Sequence, residues 1–83
     1  MILNIGTMTA PLNRLLPGQS ATISAVDGSG QIRQRMTALG LRLGKRVTVI
    51  RRALMNGPIQ VRIGTTDLIL RRSDAANVRV VTT

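Results

Sequence analysis

Only three side chains in this sequence offer a carboxylate for acid–base work or for holding a hard cation: Asp27, Asp67 and Asp74. There is no glutamate, histidine or cysteine. The usual soft and borderline metal ligands are therefore missing, and no disulfide can brace the fold. General acid–base catalysis needs a positioned pair of groups, and three scattered aspartates give little material for one. A ferrous-iron site of hard oxygens would need all three aspartate-bearing loops to converge. Asp27 beside Gly28 and Asp74 in a short capped turn already have turn and cap duty, so direct iron ligation ranks last among the readings. No serine, threonine or lysine device stands out. The sequence predicts no enzyme, no cofactor and no metal site.

What it does offer is cation. The formal net charge is +9, and of the twelve basic residues only Lys45 is not arginine. Guanidinium groups suit phosphate and carboxylate, so three partner classes follow: an acidic protein face, an anionic membrane surface, or nucleic acid. A solvated shell that keeps a small apolar domain in solution is the bland alternative. The doublets Lys45-Arg46, Arg51-Arg52 and Arg71-Arg72 belong at strand ends, because adjacent strand residues point to opposite faces and a mid-strand doublet would bury one arginine. Nucleic acid is the chief competitor from another functional class. Against it, the chain has no Phe, Trp or Tyr on which a base could stack.

The helix that positions the remaining cations runs from Gln31 to Leu39. Ile32, Met36 and Leu39 fall at i, i+4 and i+7 on one face. Ser29 is placed to cap its start. Gly40 occupies the left-handed C′ position of a Schellman stop, which makes Met36 and Leu41 the apolar pair of that motif. Ile32 and Leu39 are expected in the core. Met36 and Leu41, flanked by Arg33, Arg35 and Arg42, are expected to form an adaptable contact surface. Gly18, Gly40, Gly44 and Gly57 are expected at turns.

Around the helix the pattern is short strands. Pro17-Gly18 reads as a type II turn. Gln19 to Val26 alternates, with Ala21, Ile23 and Ala25 on one side. Val47 to Leu54, Ile59 to Ile63, Leu68 to Leu70 and Val78 to Val81 complete five strands, with one helical turn capped by Ser73 before the last. The fold class is all-β: a small five-stranded barrel with an inserted short helix, since closure would remove exposed strand edges. Its interior would be Ala21, Ile23, Val47, Val49, Val61, Leu68, Leu70 and Val80. Residues 1–10 read as an N-terminal arm and 11–83 as one domain. Any edges left exposed, with the apolar arm, favour a homo-oligomer. No apolar run approaches the roughly 20 residues of a membrane span, and Met1 to Ile5 is too short for a signal segment. The expected location is cytoplasmic.

In order along the chain, the leucine patch before Pro17-Gly18-Gln19, the strand into Asp27-Gly28, Arg35-Met36-Thr37-Ala38-Leu39-Gly40-Leu41, Gly44, Gly57-Pro58-Ile59, Leu68-Ile69-Leu70-Arg71 and Asp74-Ala75 before Val78 resemble the FeoA family. Residues 1–10 lie outside the resemblance. One departure is Leu43, where the family commonly has proline. The resemblance implies an SH3-like barrel that assembles with or regulates a FeoB-type membrane GTPase transporter of ferrous iron, meeting it through a helix-lined groove. That would place it in the cytoplasm, at the inner face of the membrane through its partner. The same domain occurs in repressors of the DtxR type, whose DNA-binding helices have no room here.

Overall fold

The computed structural model describes residues 8–82, and most of the expected arm lies outside them. The strands are β1 (Met8–Pro11), β2 (Ser20–Val26), β3 (Arg46–Arg52), β4 (Ile59–Ile63), β5 (Thr66–Leu70) and β6 (Val78–Thr82). Helix α1 is Gly30–Ala38 and the short α2 is Arg72–Ala75. All six strands form one antiparallel sheet in the order β1-β6-β2-β3-β4-β5. One strand more than expected is present: β1, which pairs with β6 through Thr9↔Val81 and Ala10↔Val80. The division expected after residue 10 thus falls inside a strand. Within this order β1 and β5 are edges, so the sheet wraps its core without a hydrogen-bonded seam between them.

Two register shifts help the sheet wrap. One lies between Ile23 and Ala25 in β2, the other between Val49 and Arg51 in β3. Such bulges bend a strand and raise its local twist. The enclosed core contains Ala21, Ile23, Val47, Val49, Val61, Leu70 and Val80 as expected, with Leu68 only partly covered. Ile59, Val78, Ala75, Leu12 and Leu15 join them.

The turns follow the chemistry of their residues. Gln19 N–H donates to Leu16 C=O at 3.0 Å across Pro17-Gly18, with Gly18 at φ +90°. Gly57 has an ordinary φ and is needed for space: a Cβ there would lie 2.7 Å from that of Ala53. Between β3 and β4, Gly57 N–H donates to Leu54 C=O at 3.1 Å, and the two central residues, Met55 and Asn56, sit at φ 60° and 61°. Those features are those of a type I′ turn, which suits Asn-Gly but is strained for methionine.

The stop of α1 has the Schellman pattern. Leu41 N–H donates to Met36 C=O at 2.9 Å and Gly40 N–H to Thr37 C=O at 3.0 Å, with Gly40 at φ +99°. Ser29 Oγ accepts from Ile32 N–H at 3.3 Å at the other end. What differs from expectation is burial. Met36 and Leu41 have no exposure, whereas Leu39 is 40% exposed and Ile32 only packs against the core's margin. The reason is geometric: a reversal at Gly40 folds Leu41 back beneath the helix beside Met36, and Leu39, one residue before the turn, is swung outward. Another correction concerns α2, which starts at Arg72 with Arg71 as its cap residue rather than Ser73.

Two stability outcomes follow. Leu41→Ala should cost about 2–5 kcal/mol and Leu39→Ala under about 1 kcal/mol, compared by denaturant unfolding; equal losses would contradict the burial described. Met55→Gly should stabilise by about 1 kcal/mol through relief of the left-handed conformation, seen as a higher thermal midpoint.

Candidate functional site

Helix α1 and strand β2 are held apart by the loop that follows the Gly40 stop. Lys45 N–H donates to Arg42 C=O at 3.1 Å, and the loop is stitched to β2 by Gly44 N–H to Ile23 C=O (2.8 Å) and Ile23 N–H to Lys45 C=O (2.9 Å). The β2 bulge follows immediately and re-aims Ser24 and Ala25. Between them opens a groove of about 650 Å³ lined by Ser24, Ala25, Val26, Arg33, Thr37, Leu41, Arg42 and Leu43. Leu41, buried, lies under its floor, and Leu43, 66% exposed, stands on its rim. Arg33 and Arg42 supply its charge, with Arg42 Nε donating to Thr37 C=O at 3.4 Å. An apolar trough with two guanidinium groups at its edge fits an apolar segment carrying acidic side chains.

Of the five residues expected to meet a partner, the structure gathers Arg33, Arg42 and the underside of Leu41 at this groove. Met36 is wholly buried and unavailable to any partner, and Leu41 can only shape the floor. Arg35 faces elsewhere: its Nη2 donates to Asp74 Oδ1 at 2.6 Å, and it borders a second depression with Leu39, Ile69 and Arg71. Residues 33 and 35 are about 200° apart around the helix, so they cannot share one face. Sequence reasoning missed Leu43 and the Ser24–Val26 wall. Leu43 had a signal, an exposed leucine before a turn glycine. The wall depends on a bulge that alternation does not reveal.

The aspartates do not gather. Asp74 takes Arg35, Asp67 takes Arg62 and Asp27 takes Arg79 (Nε to Oδ2, 3.1 Å). No cluster of three or more His, Cys, Asp or Glu side chains exists among the described residues. Three arginines are occupied in this way, which leaves nine of the twelve cations without a carboxylate partner among the described residues. The doublets lie at strand ends: Lys45-Arg46 at the start of β3, Arg51-Arg52 at its close, Arg71-Arg72 after β5. Among the described residues no helix is long and apolar enough to cross a membrane.

One antiparallel sheet wrapped on an aliphatic core, with a helix inserted after its second strand, defines a small SH3-like barrel. The family model for the FeoA domain matches residues 10–82, and the chain belongs to the FeoA family. It is 38% identical over 69 residues to a Porphyromonas gingivalis protein described as a fusion of Fe(2+) transport protein A with the Fe(2+) transporter FeoB. That match covers 83% of this chain and only 8% of the fusion. FeoA of Stenotrophomonas maltophilia, solved in complex with zinc and described as a prokaryotic SH3-domain protein, superposes with a TM-score of 0.71 at 31% identity, covering 88% of each chain. The crystal structure of an iron uptake regulatory protein, FeoA, gives a TM-score of 0.83 at 27% identity, covering 89% of this chain and 97% of that one.

The ion pair on the β4–β5 hairpin gives a pH-dependent outcome. Arg62 grips Asp67 in fork fashion, Nε to Oδ1 at 2.6 Å and Nη2 to Oδ2 at 3.1 Å, and Gln60 Nε2 adds a bond of 3.1 Å. The hydrogen bond from Arg62 holds the Asp67 carboxyl below the usual carboxylate range. Because the folded value is lowered, any stabilisation is present above the unfolded value and fades as pH falls through the folded one. In an NMR carboxyl titration Asp67 should titrate below its ordinary range, and Arg62→Ala should move it upward.

Proposed function

We propose that this chain is a non-enzymatic accessory module of ferrous-iron transport that acts by contact with a FeoB-type membrane transporter, the partner seated in the groove between α1 and β2. The observation that carries the partner's identity is the Porphyromonas gingivalis relative, in which a segment similar to this chain and a FeoB transporter are one polypeptide. Covalent fusion keeps two domains at high effective concentration, an arrangement of use to domains that work against one another. The groove supports the choice of surface: it is concave, its floor is apolar, and Arg33 and Arg42 mark its edge with charge that no carboxylate among the described residues neutralises. Iron, on this reading, is the transporter's cargo and not a ligand of this chain.

The role is one of positioning. A segment laid in the groove would cover Val26 and Leu43 and bring its acidic groups to Arg33 and Arg42. Rim charges act on encounter rate and on register more than on raw affinity, so the pair would decide which segment docks and in what orientation. The cytoplasm follows as the place of action from the same reading, since the partner's nucleotide-binding part lies there by the resemblance.

The test is capture of a FeoB-type cytoplasmic domain by this protein, measured by titration at low salt. The double substitution Arg33→Glu with Arg42→Glu should weaken binding roughly ten-fold or more. Arg35→Gln, on the other side of α1, should leave binding within about two-fold. Binding that survived the double substitution would remove the groove from consideration. A salt-sensitive gel shift with mixed nucleic acid, without capture of the transporter domain, would favour the nucleic-acid alternative instead.

A further inference from the structure

Strand register brings two arginine doublets and an apolar turn to one end of the sheet. Arg52 pairs with Ile59, which pairs with Leu70, so Arg51-Arg52 and Arg71-Arg72 flank the same end of the central strands. Beyond that end projects the β3–β4 turn, with Leu54 88% and Met55 97% exposed. Neither side chain belongs to the core. Met55 moreover holds a left-handed conformation, φ 60°, in a turn where asparagine or glycine would sit without strain. A strained residue that contributes nothing to packing is a reason to look for a role outside the fold.

From this juxtaposition we propose that the Leu54-Met55 turn is a membrane-interface anchor, which inserts into the headgroup region of an anionic bilayer while the flanking arginines bind lipid phosphate. The shape favours a bilayer over a folded partner. The apolar surface is the apex of a hairpin, convex and narrow, and a protein would need a matching pocket to cover it, whereas a fluid interface conforms to it. The spacing agrees as well. At about 3.3 Å per strand residue, Arg51 and Arg52 lie on the order of 7–10 Å behind Leu54, the depth to which interfacial apolar groups enter the headgroup boundary.

Charge on this end is predominantly basic, with Asp74 of α2 its nearest carboxylate. Asp67 and Asp27 lie toward the opposite end of the strands and are each held by an arginine. Asp74, following β5, is bound to Arg35. Arg51 and Arg71 are exposed, and Arg52 reaches back by donating from Nη1 to Leu15 C=O at 3.2 Å. Ile69, 67% exposed, lies between the two doublets and lines depressions with Arg51 on one side and Arg71 on the other. It would extend the apolar contact from the apex onto the outer face. The proposal is independent of the groove and of its occupant.

The chain has no cysteine, so a single introduced thiol can report position. Met55→Cys carrying an environment-sensitive fluorophore should shift to the blue with vesicles of equimolar phosphatidylcholine and phosphatidylglycerol. Thr65→Cys, in the hairpin turn at the other end of β4, should not. In unlabelled protein, Leu54→Asn with Met55→Asn should fold at least as well, because asparagine accepts the turn geometry, yet lose co-sedimentation with those vesicles about ten-fold or more. Arg51→Gln should weaken it about five-fold. Absence of binding to anionic vesicles at low salt would overturn the proposal. So would equal binding by the asparagine double variant, which would reduce the interaction to surface charge alone, or equal spectral shifts at positions 55 and 65.

Discussion

The hydrogen bond from Leu41 N–H back to Met36 C=O is the constraint on which the rest of the domain depends. A nine-residue helix is too short to be stable on its own, and α1 has only one fully buried residue, Met36. The Schellman reversal supplies what the helix lacks by delivering Leu41 to the same interior. Together they place one helical and one loop side chain in the common core, with Ile32 packed against its margin. Gly40 makes this available because φ near +99° costs glycine nothing sterically. Once the chain has turned there, the next four residues are committed. Arg42 and Leu43 stay outside, and Gly44 and Lys45 bond to Ile23, which sets β3 beside β2. The groove is the space left between α1 and β2 beside the bulge of that strand.

Charge follows from the same scaffold by a simple balance. Three carboxylates are each consumed at a junction: Asp74 joins α2 to α1, Asp67 bridges β5 to β4, and Asp27 ties the end of β2 to β6. These are exposed or half-exposed pairs of modest individual worth. Their effect is on the map of what remains, since every cation not at a junction keeps its full field. The cations left without a carboxylate partner among the described residues include those of the groove rim and both doublets near the β3–β4 turn. A basic surface of this kind is a product of where the few aspartates sit as much as of where the arginines are.

Much of this was legible in the sequence where the cause is local. The type II turn at Pro17-Gly18, the Ser29 cap, the Gly40 stop and the placement of arginine doublets at strand ends all rest on interactions spanning a few residues. Strand faces were legible up to the first irregularity. Alternation gave Ala21 and Ile23 their place, then failed at Ala25, because the bulge inserts a residue and shifts the face. Strand β1 was hidden for a different reason: Met8–Pro11 is four residues without periodicity, and its structure comes from pairing with Val80 and Val81 some seventy residues away. The exchange of roles between Leu39 and Leu41 is the most instructive miss. A helical wheel puts Leu39 on the face of Ile32 and Met36, but the wheel ends where the helix does. The capping motif, recognisable in the same residues, already required Met36 and Leu41 to pack together, and that local rule outranks the wheel.

The position of the groove relative to the hairpin apex bears on how such a domain could work. Arg42 and Leu43 lie just before β3, and Leu54 and Met55 just after it. Seven residues of strand, about 20 Å at ordinary rise, separate the two surfaces. A barrel has few degrees of freedom with which to transmit a change between them, because its core is a close-packed aliphatic cluster with no buried polar or charged residue among those described. Were the groove and the apex both occupied as proposed, β3 would act as a spacer, the contact at the apex setting the height and tilt at which the groove meets its partner.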